Sequence, residues 1–168
     1  MADERPTVGV VIGSDSDLQV MQRCLDRLAE FGIAHEVRIL SAHRTPEEAH
    51  EYARSAAGRG LKAIIAAAGM SAALAGTLAA NTTLPVIGVP INSGPLEGVD
   101  AAVSTLQMPP GVPVGCMAIG SAGATNAAIF AAQILAAADP ALREKIEQFK
   151  RDQAQEVAEK DAAARKQR

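Results

Sequence analysis

Of the three histidines in this chain, His43 stands in the stretch SAHRTP (Ser41 to Pro46), where an apolar run ends and a helical pattern begins. An imidazole titrates near neutral pH and can both give and take a proton. Its neighbour Arg44 offers a planar fork suited to phosphate or carboxylate. The stretch GSDSD (Gly13 to Asp17) also follows an apolar run. Gly13 permits a sharp turn there, Ser14 and Ser16 bring hydroxyls to a helix start whose free N–H groups can hold an anion, and Asp17 can accept hydrogen bonds from ribose hydroxyls. The same residues would equally make an N-cap with an acidic first turn. A third stretch, AAGMSAALAG (Ala67 to Gly76), is nearly all small. Small residues leave room and bare backbone N–H groups for a ligand, or simply allow helices to pack closely. His35 opens a strand and His50 falls within a helix, so both are read as structural or surface residues.

These stretches need elements to hold them. TVGVVI (Thr7 to Ile12) reads as a strand, and Leu18, Met21, Leu25 and Leu28 recur at helical spacing after it. HEVRIL (His35 to Leu40) reads as a second strand. Pro46 then opens a helix, with Thr45 as N-cap and Glu48 three residues on as its capping-box partner. KAIIAAAG, LPVIGVP and VPVGCMAIG supply three more strands, with an Ala-rich helix expected over Ser71 to Ala80. Between the last two strands lies a long connection punctuated by Gly and Pro, of the kind that closes over a site or an interface. Strand and helix alternating at this spacing predict right-handed crossovers and a five-stranded parallel sheet, with ligands gathered outside the carboxyl ends of its strands. The helix SAGATNAAIFAAQILAAA follows. A charged helix over about 140–162 closes the chain, with Leu142, Ile146, Phe149 and Val157 as its apolar anchors and residues beyond about Lys160 expected to fray.

Composition narrows the function. The 168 residues fit one domain, 1–168 with its core at about 7–138, and 48% are hydrophobic but only 2% aromatic. Base-stacking nucleic-acid surfaces need aromatic platforms, and a net charge of -3 gives no basic footprint for DNA or an anionic membrane. Cys24 and Cys116 lack a C-x-x-C spacing and are expected to be buried thiols of a reducing compartment. The opening MADERPT carries no apolar leader and no run suffices for a membrane span, so a cytoplasmic chain is expected. Neither G-x-G-x-x-G nor a P-loop is present, and no metal or redox cofactor is called for. The residues alone leave two classes open: an enzyme moving protons or a carboxylate on a phosphorylated metabolite, and a flavodoxin-like binding or signalling domain. A receiver domain would want an aspartate ending the third strand, where this chain has Ala67, Ala68 and Gly69.

In order and spacing, GSDSD, SAHRTPE, the AGM and AL–AG segments, LPVIGVP, STLQMPPGVPVG and AAQILA resemble the PurE family of purine biosynthesis over about Val8 to Ala137. The resemblance implies a flavodoxin-like three-layer α/β/α domain, a homo-octamer with sites at subunit junctions, and a small nucleotide substrate. It implies conversion of N5-carboxyaminoimidazole ribonucleotide to the isomer carboxylated on ring carbon, with His43 catalytic. Ser14, Asp17, Ser41, Arg44, Gly69, Met70 and Ser71 would contact the substrate. One position departs from the pattern. The mutase branch usually has a histidine where this chain has Ala73, and Ser71 is similar to the branch that carboxylates aminoimidazole ribonucleotide directly with CO2. Arg44, Met70 and Gln107 to Pro109 look like the mutase branch, to which the expectation goes; a nucleotide-binding paralogue without turnover is the non-enzymatic rival.

Overall fold

The computed structural model describes residues 5–166. The first four residues of the expected leaderless N-terminus, and the last two of the expected domain, lie outside them. Five strands form one parallel sheet: β1 (Val8–Ile12), β2 (His35–Ile39), β3 (Ala63–Gly69), β4 (Val86–Ile91) and β5 (Gly115–Cys116). Their order is β2-β1-β3-β4-β5. The helices are α1 (Leu18–Glu30), α2 (Pro46–Arg59), α3 (Leu74–Ala79), α4 (Val99–Leu106), α5 (Ser121–Ala136) and α6 (Pro140–Arg165). This is the expected three-layer, flavodoxin-like order.

Alternation along the strands divides the core. Val8, Val10 and Ile12 face α1 and α5 together with Ile65, Ala67, Ile87 and Val89. Val11, Ile64, Ala66 and Val86 face α2 and α3 on the other side. Such strands, apolar on both faces, are what a doubly covered parallel sheet requires. Alanine makes the second layer thin: Ala124, Ala127, Ala128, Ala131 and Ala132 of α5 are fully buried, which brings α5 close to α1 and the sheet. β1 pairs with β2 on one side and β3 on the other, so the chain's direction of winding reverses there. A crevice opens at that point outside the carboxyl ends of the strands.

Several expectations need correction. The Thr45 hydroxyl makes no cap bond to α2; it accepts from Ser41 N–H at 2.9 Å and donates to the Ser41 carbonyl at 3.2 Å, closing the loop before the helix instead. Ser71 to Ala73 stay outside α3, which begins only at Leu74. The long connection after β4, expected as a loop, contains α4. β5 keeps two residues, although Met117 N–H still reaches the Gly88 carbonyl and Gly120 N–H the Pro90 carbonyl. Cys24 is buried, its thiol pushed up to about 12 by burial, whereas Cys116 is half-buried.

α6 starts where Asp139 accepts a hydrogen bond from Leu142 N–H at 3.0 Å, with Pro140 in the first turn. Its near half docks on the core. Leu142 and Ile146 are buried, and Phe149 meets Phe31 edge to face at 5.6 Å between centroids. The Arg27 guanidinium lies 4.8 Å from the Phe149 ring centre, and Lys145 Nζ donates to the Phe31 carbonyl at 3.0 Å. Val157, expected as a fourth anchor, is 66% exposed and touches nothing that buries it. The helix continues to Arg165 rather than ending near residue 162. No helix among the described residues is long and apolar enough to cross a membrane.

Candidate active site

Four loops meet at the crevice. The first follows β1, where a short 3-10 turn, Asp15–Asp17, precedes α1. Ser14 is its cap: Ser14 Oγ accepts from Ser16 N–H at 3.4 Å and lies 2.9 Å from Ser16 Oγ. Ser16 Oγ is also 3.1 Å from Asp17 Oδ1, a bond in which only the hydroxyl can donate to an ionised carboxylate. Asp17 is only 6% exposed. Burial raises its pKa above the ordinary aspartate value, the Ser16 hydroxyl pulls it back, and the charge of Asp15 pushes it up again.

The second loop follows β2. Ser41 N–H donates to Thr45 Oγ1, and Ser41 Oγ accepts from Arg44 N–H at 3.2 Å and from Arg44 Nε at 3.4 Å. Arg44 Nη2 then reaches across to the Gly13 carbonyl at 3.1 Å. That guanidinium ties the second loop to the first. Part of its fork remains for an anion, since it carries five N–H donors. His43, between Ser41 and Arg44, is exposed and lines the crevice with its neighbours.

The third loop leaves β3 at Gly69. Met70 adopts φ 54°, in the left-handed region, and so turns the chain sharply after the strand. Within the described chain the N–H groups of Met70 and Ser71 donate to no backbone carbonyl, whereas Ala73 N–H bonds the Ser71 carbonyl at 2.8 Å. The fourth loop, after β4, contributes Ser93. Around these four loops lies one cavity of about 550 Å3, large enough for a nucleotide-sized ligand.

All eight residues singled out in the sequence line this cavity: His43, Ser14, Asp17, Ser41 and Arg44 from the first two loops, and Gly69, Met70 and Ser71 from the third. Ala73 lines it too. Sequence reasoning did not single out Ser93, because its place depends on how the fourth loop returns over β3. Gly120 and Ser121, at the start of α5, do not line the cavity. His35 bonds the Ile33 carbonyl at 2.9 Å through Nδ1, a local structural contact. Among the described residues no three His, Cys, Asp or Glu side chains gather where they could hold a metal ion.

A parallel sheet of flavodoxin order with a nucleotide-sized cavity at its switch point defines an α/β protein built to take a small molecule. The model of one family, described as AIR carboxylase, matches residues 7–156, and the chain belongs to that family. It is 55% identical over 161 residues to the N5-carboxyaminoimidazole ribonucleotide mutase of Mycobacterium tuberculosis, covering 96% of this chain and 91% of the relative. The mutase of the same name from Pyrococcus horikoshii is 49% identical over 160 residues, covering 95% and 89%. Among solved structures, PurE of Treponema denticola superposes with a TM-score of 0.84 at 30% identity, covering 94% of this chain and 98% of that one.

Proposed function

We propose that the chain is an N5-carboxyaminoimidazole ribonucleotide mutase of purine biosynthesis, acting as one catalytic unit over residues 1–168 in the cytoplasm and as a homo-octamer. The observation that carries this reading is the meeting of one exposed imidazole, one guanidinium and a buried carboxylate in a single nucleotide-sized cavity. Arg44, Ser14, Ser41 and the free N–H groups of Met70 and Ser71 suit the anionic end of a ribose phosphate, and Asp17 suits ribose hydroxyls.

His43 is the proton carrier in this reading. The imidazolium gives its proton to the carbamate nitrogen as the N–C bond breaks and CO2 leaves. The electron-rich ring carbon then attacks the retained CO2, and the now neutral imidazole removes the proton from that carbon. One proton and one CO2 are released and recovered, so the reaction is a net isomerisation with no other reactant. Holding CO2 beside the ring makes recapture effectively intramolecular. Exposed and lining the cavity, the His43 ring can meet the substrate directly for this exchange.

Direct carboxylation of aminoimidazole ribonucleotide by CO2 is the second reading, favoured by Ala73, an aliphatic residue in the cavity wall. Purified protein supplied with the carbamate nucleotide, or with aminoimidazole ribonucleotide plus bicarbonate, and followed by absorbance separates the two. His43→Asn is expected to keep nucleotide binding while kcat falls by about 10³-fold or more. A near-normal kcat would remove His43 from the chemistry.

A further inference from the structure

Ser93 lines the same cavity as His43 but comes from the far side, in the connection after β4. Ile91 pairs with Gly69 at the end of the sheet. Ser93 N–H then donates back to the Ile91 carbonyl at 2.9 Å, a three-residue turn that folds the chain over the end of β3. The side chain lands on Gly69: a Cβ built there would stand 1.8 Å from Ser93 Oγ and 3.1 Å from Ser93 Cβ. One residue further on, the contact is returned. A Cβ on Gly94 would stand 3.3 Å from Met70 Cγ, so the Met70 side chain lies over Gly94. Each loop thus carries a glycine that receives a side chain of the other, and Met70 holds its left-handed turn within that pairing.

This interlock places a hydroxyl at a defined point of the cavity wall. Ser93 is half-buried, and within the described chain its backbone bonds Ile91 while its Oγ meets no partner of its own. A hydroxyl can donate one hydrogen bond and accept others. We infer that Ser93 is a further substrate-contacting residue, its hydroxyl bonding a polar atom of the nucleotide beside the Gly69–Ser71 backbone. The Gly69–Ser93 and Met70–Gly94 contacts fix where that hydroxyl stands. The inference rests on the nucleotide reading of the cavity given above.

Steady-state kinetics on the full chain, with the nucleotide that the wild-type protein turns over, tests it alongside thermal melting. Ser93→Ala removes the hydroxyl and keeps the Cβ that touches Gly69. The expected result is a KM raised about ten-fold with kcat and its pH profile unchanged, the pattern of a lost ground-state contact. Tm should hold within about 2 °C. Ser93→Thr, which retains the hydroxyl, should stay within about three-fold of wild-type KM. An unchanged KM in Ser93→Ala overturns the inference. So does a fall in Tm with equal losses from Ala and Thr, which would mark Ser93 as filling alone. A wild-type protein inactive on both nucleotides overturns the parent reading, and this inference with it, and is distinguishable because no variant then needs comparison.

Discussion

Asp17 shows what the cavity asks of a single side chain. Its carboxylate is taken out of water, 6% exposed, with one serine hydroxyl for company. Burial favours the neutral acid, so the folded chain holds this proton more tightly than the unfolded one and its pKa is raised. The stability that Asp17 contributes therefore falls as pH rises between its unfolded and its folded pKa, and is greatest below both. Asp17→Asn should raise the apo protein's Tm at pH 7, with the gain disappearing in acid, while KM rises about ten-fold because a neutral amide with one acceptor oxygen replaces the charged carboxylate facing substrate hydroxyls. Melting curves from pH 3 to pH 8 check the first part; a Tm gain independent of pH would refute it. His43, Arg44 and Asp17 were legible in the sequence because each is a rare or charged type placed directly after an apolar run, where a parallel sheet puts its ligands. Ser93 carries no such mark. A serine among Gly and Pro is ordinary loop composition, and only the pairing of Ile91 with Gly69 brings it to the cavity.

At the scale of elements, periodicity served best where one face meets the core. Val8–Ile12, Leu18–Glu30 and Pro46–Arg59 lie within a residue or two of their expected positions. α4 was missed because Gly94, Pro95 and Gly98 crowd its approach, and because its outward residues Val99, Val103 and Leu106 are apolar, which erases the polar face that marks a surface helix. α6 errs the other way. Its stripe continues in sequence to Val157, but the core it covers ends at Phe149, and every described residue from Lys150 onward is exposed. Stability should follow burial along this helix. Ile146→Ala, which hollows the seam between α6 and the α1–α5 layer, is expected to cost about 2–4 kcal/mol in denaturant unfolding. Ending the chain after Lys150 should leave Tm within about 2 °C in the isolated subunit, since no buried apolar area is lost. A large loss on truncation would mean that the outer half of α6 is buried by a neighbouring copy.

The whole molecule shows an apolar face that a lone subunit does not cover. Leu96, Val99, Val103 and Leu106 are each more than half exposed and recur at spacings of three and four, so they share one side of α4 and its approach. Ile119 continues the patch: a Cβ on Gly98 would stand 2.7 Å from Ile119 Cγ2. Contiguous exposed apolar surface of this kind marks an interaction site more often than an accident of composition. The same connection carries Ser93 into the cavity, so whatever covers α4 also bears on the wall of the site. A second copy of the chain in the proposed octamer would supply that cover, and α4 would then be both interface and support for Ser93. Val103→Glu places a charge at the centre of the stripe without entering the core. Sedimentation of the wild-type chain should give a single large species and Val103→Glu a smaller one, with kcat/KM reduced about ten-fold or more because the fourth loop loses its backing. A wild-type chain that sediments as a monomer and is fully active would remove the octamer. Val103→Glu that stays assembled would move the interface away from α4.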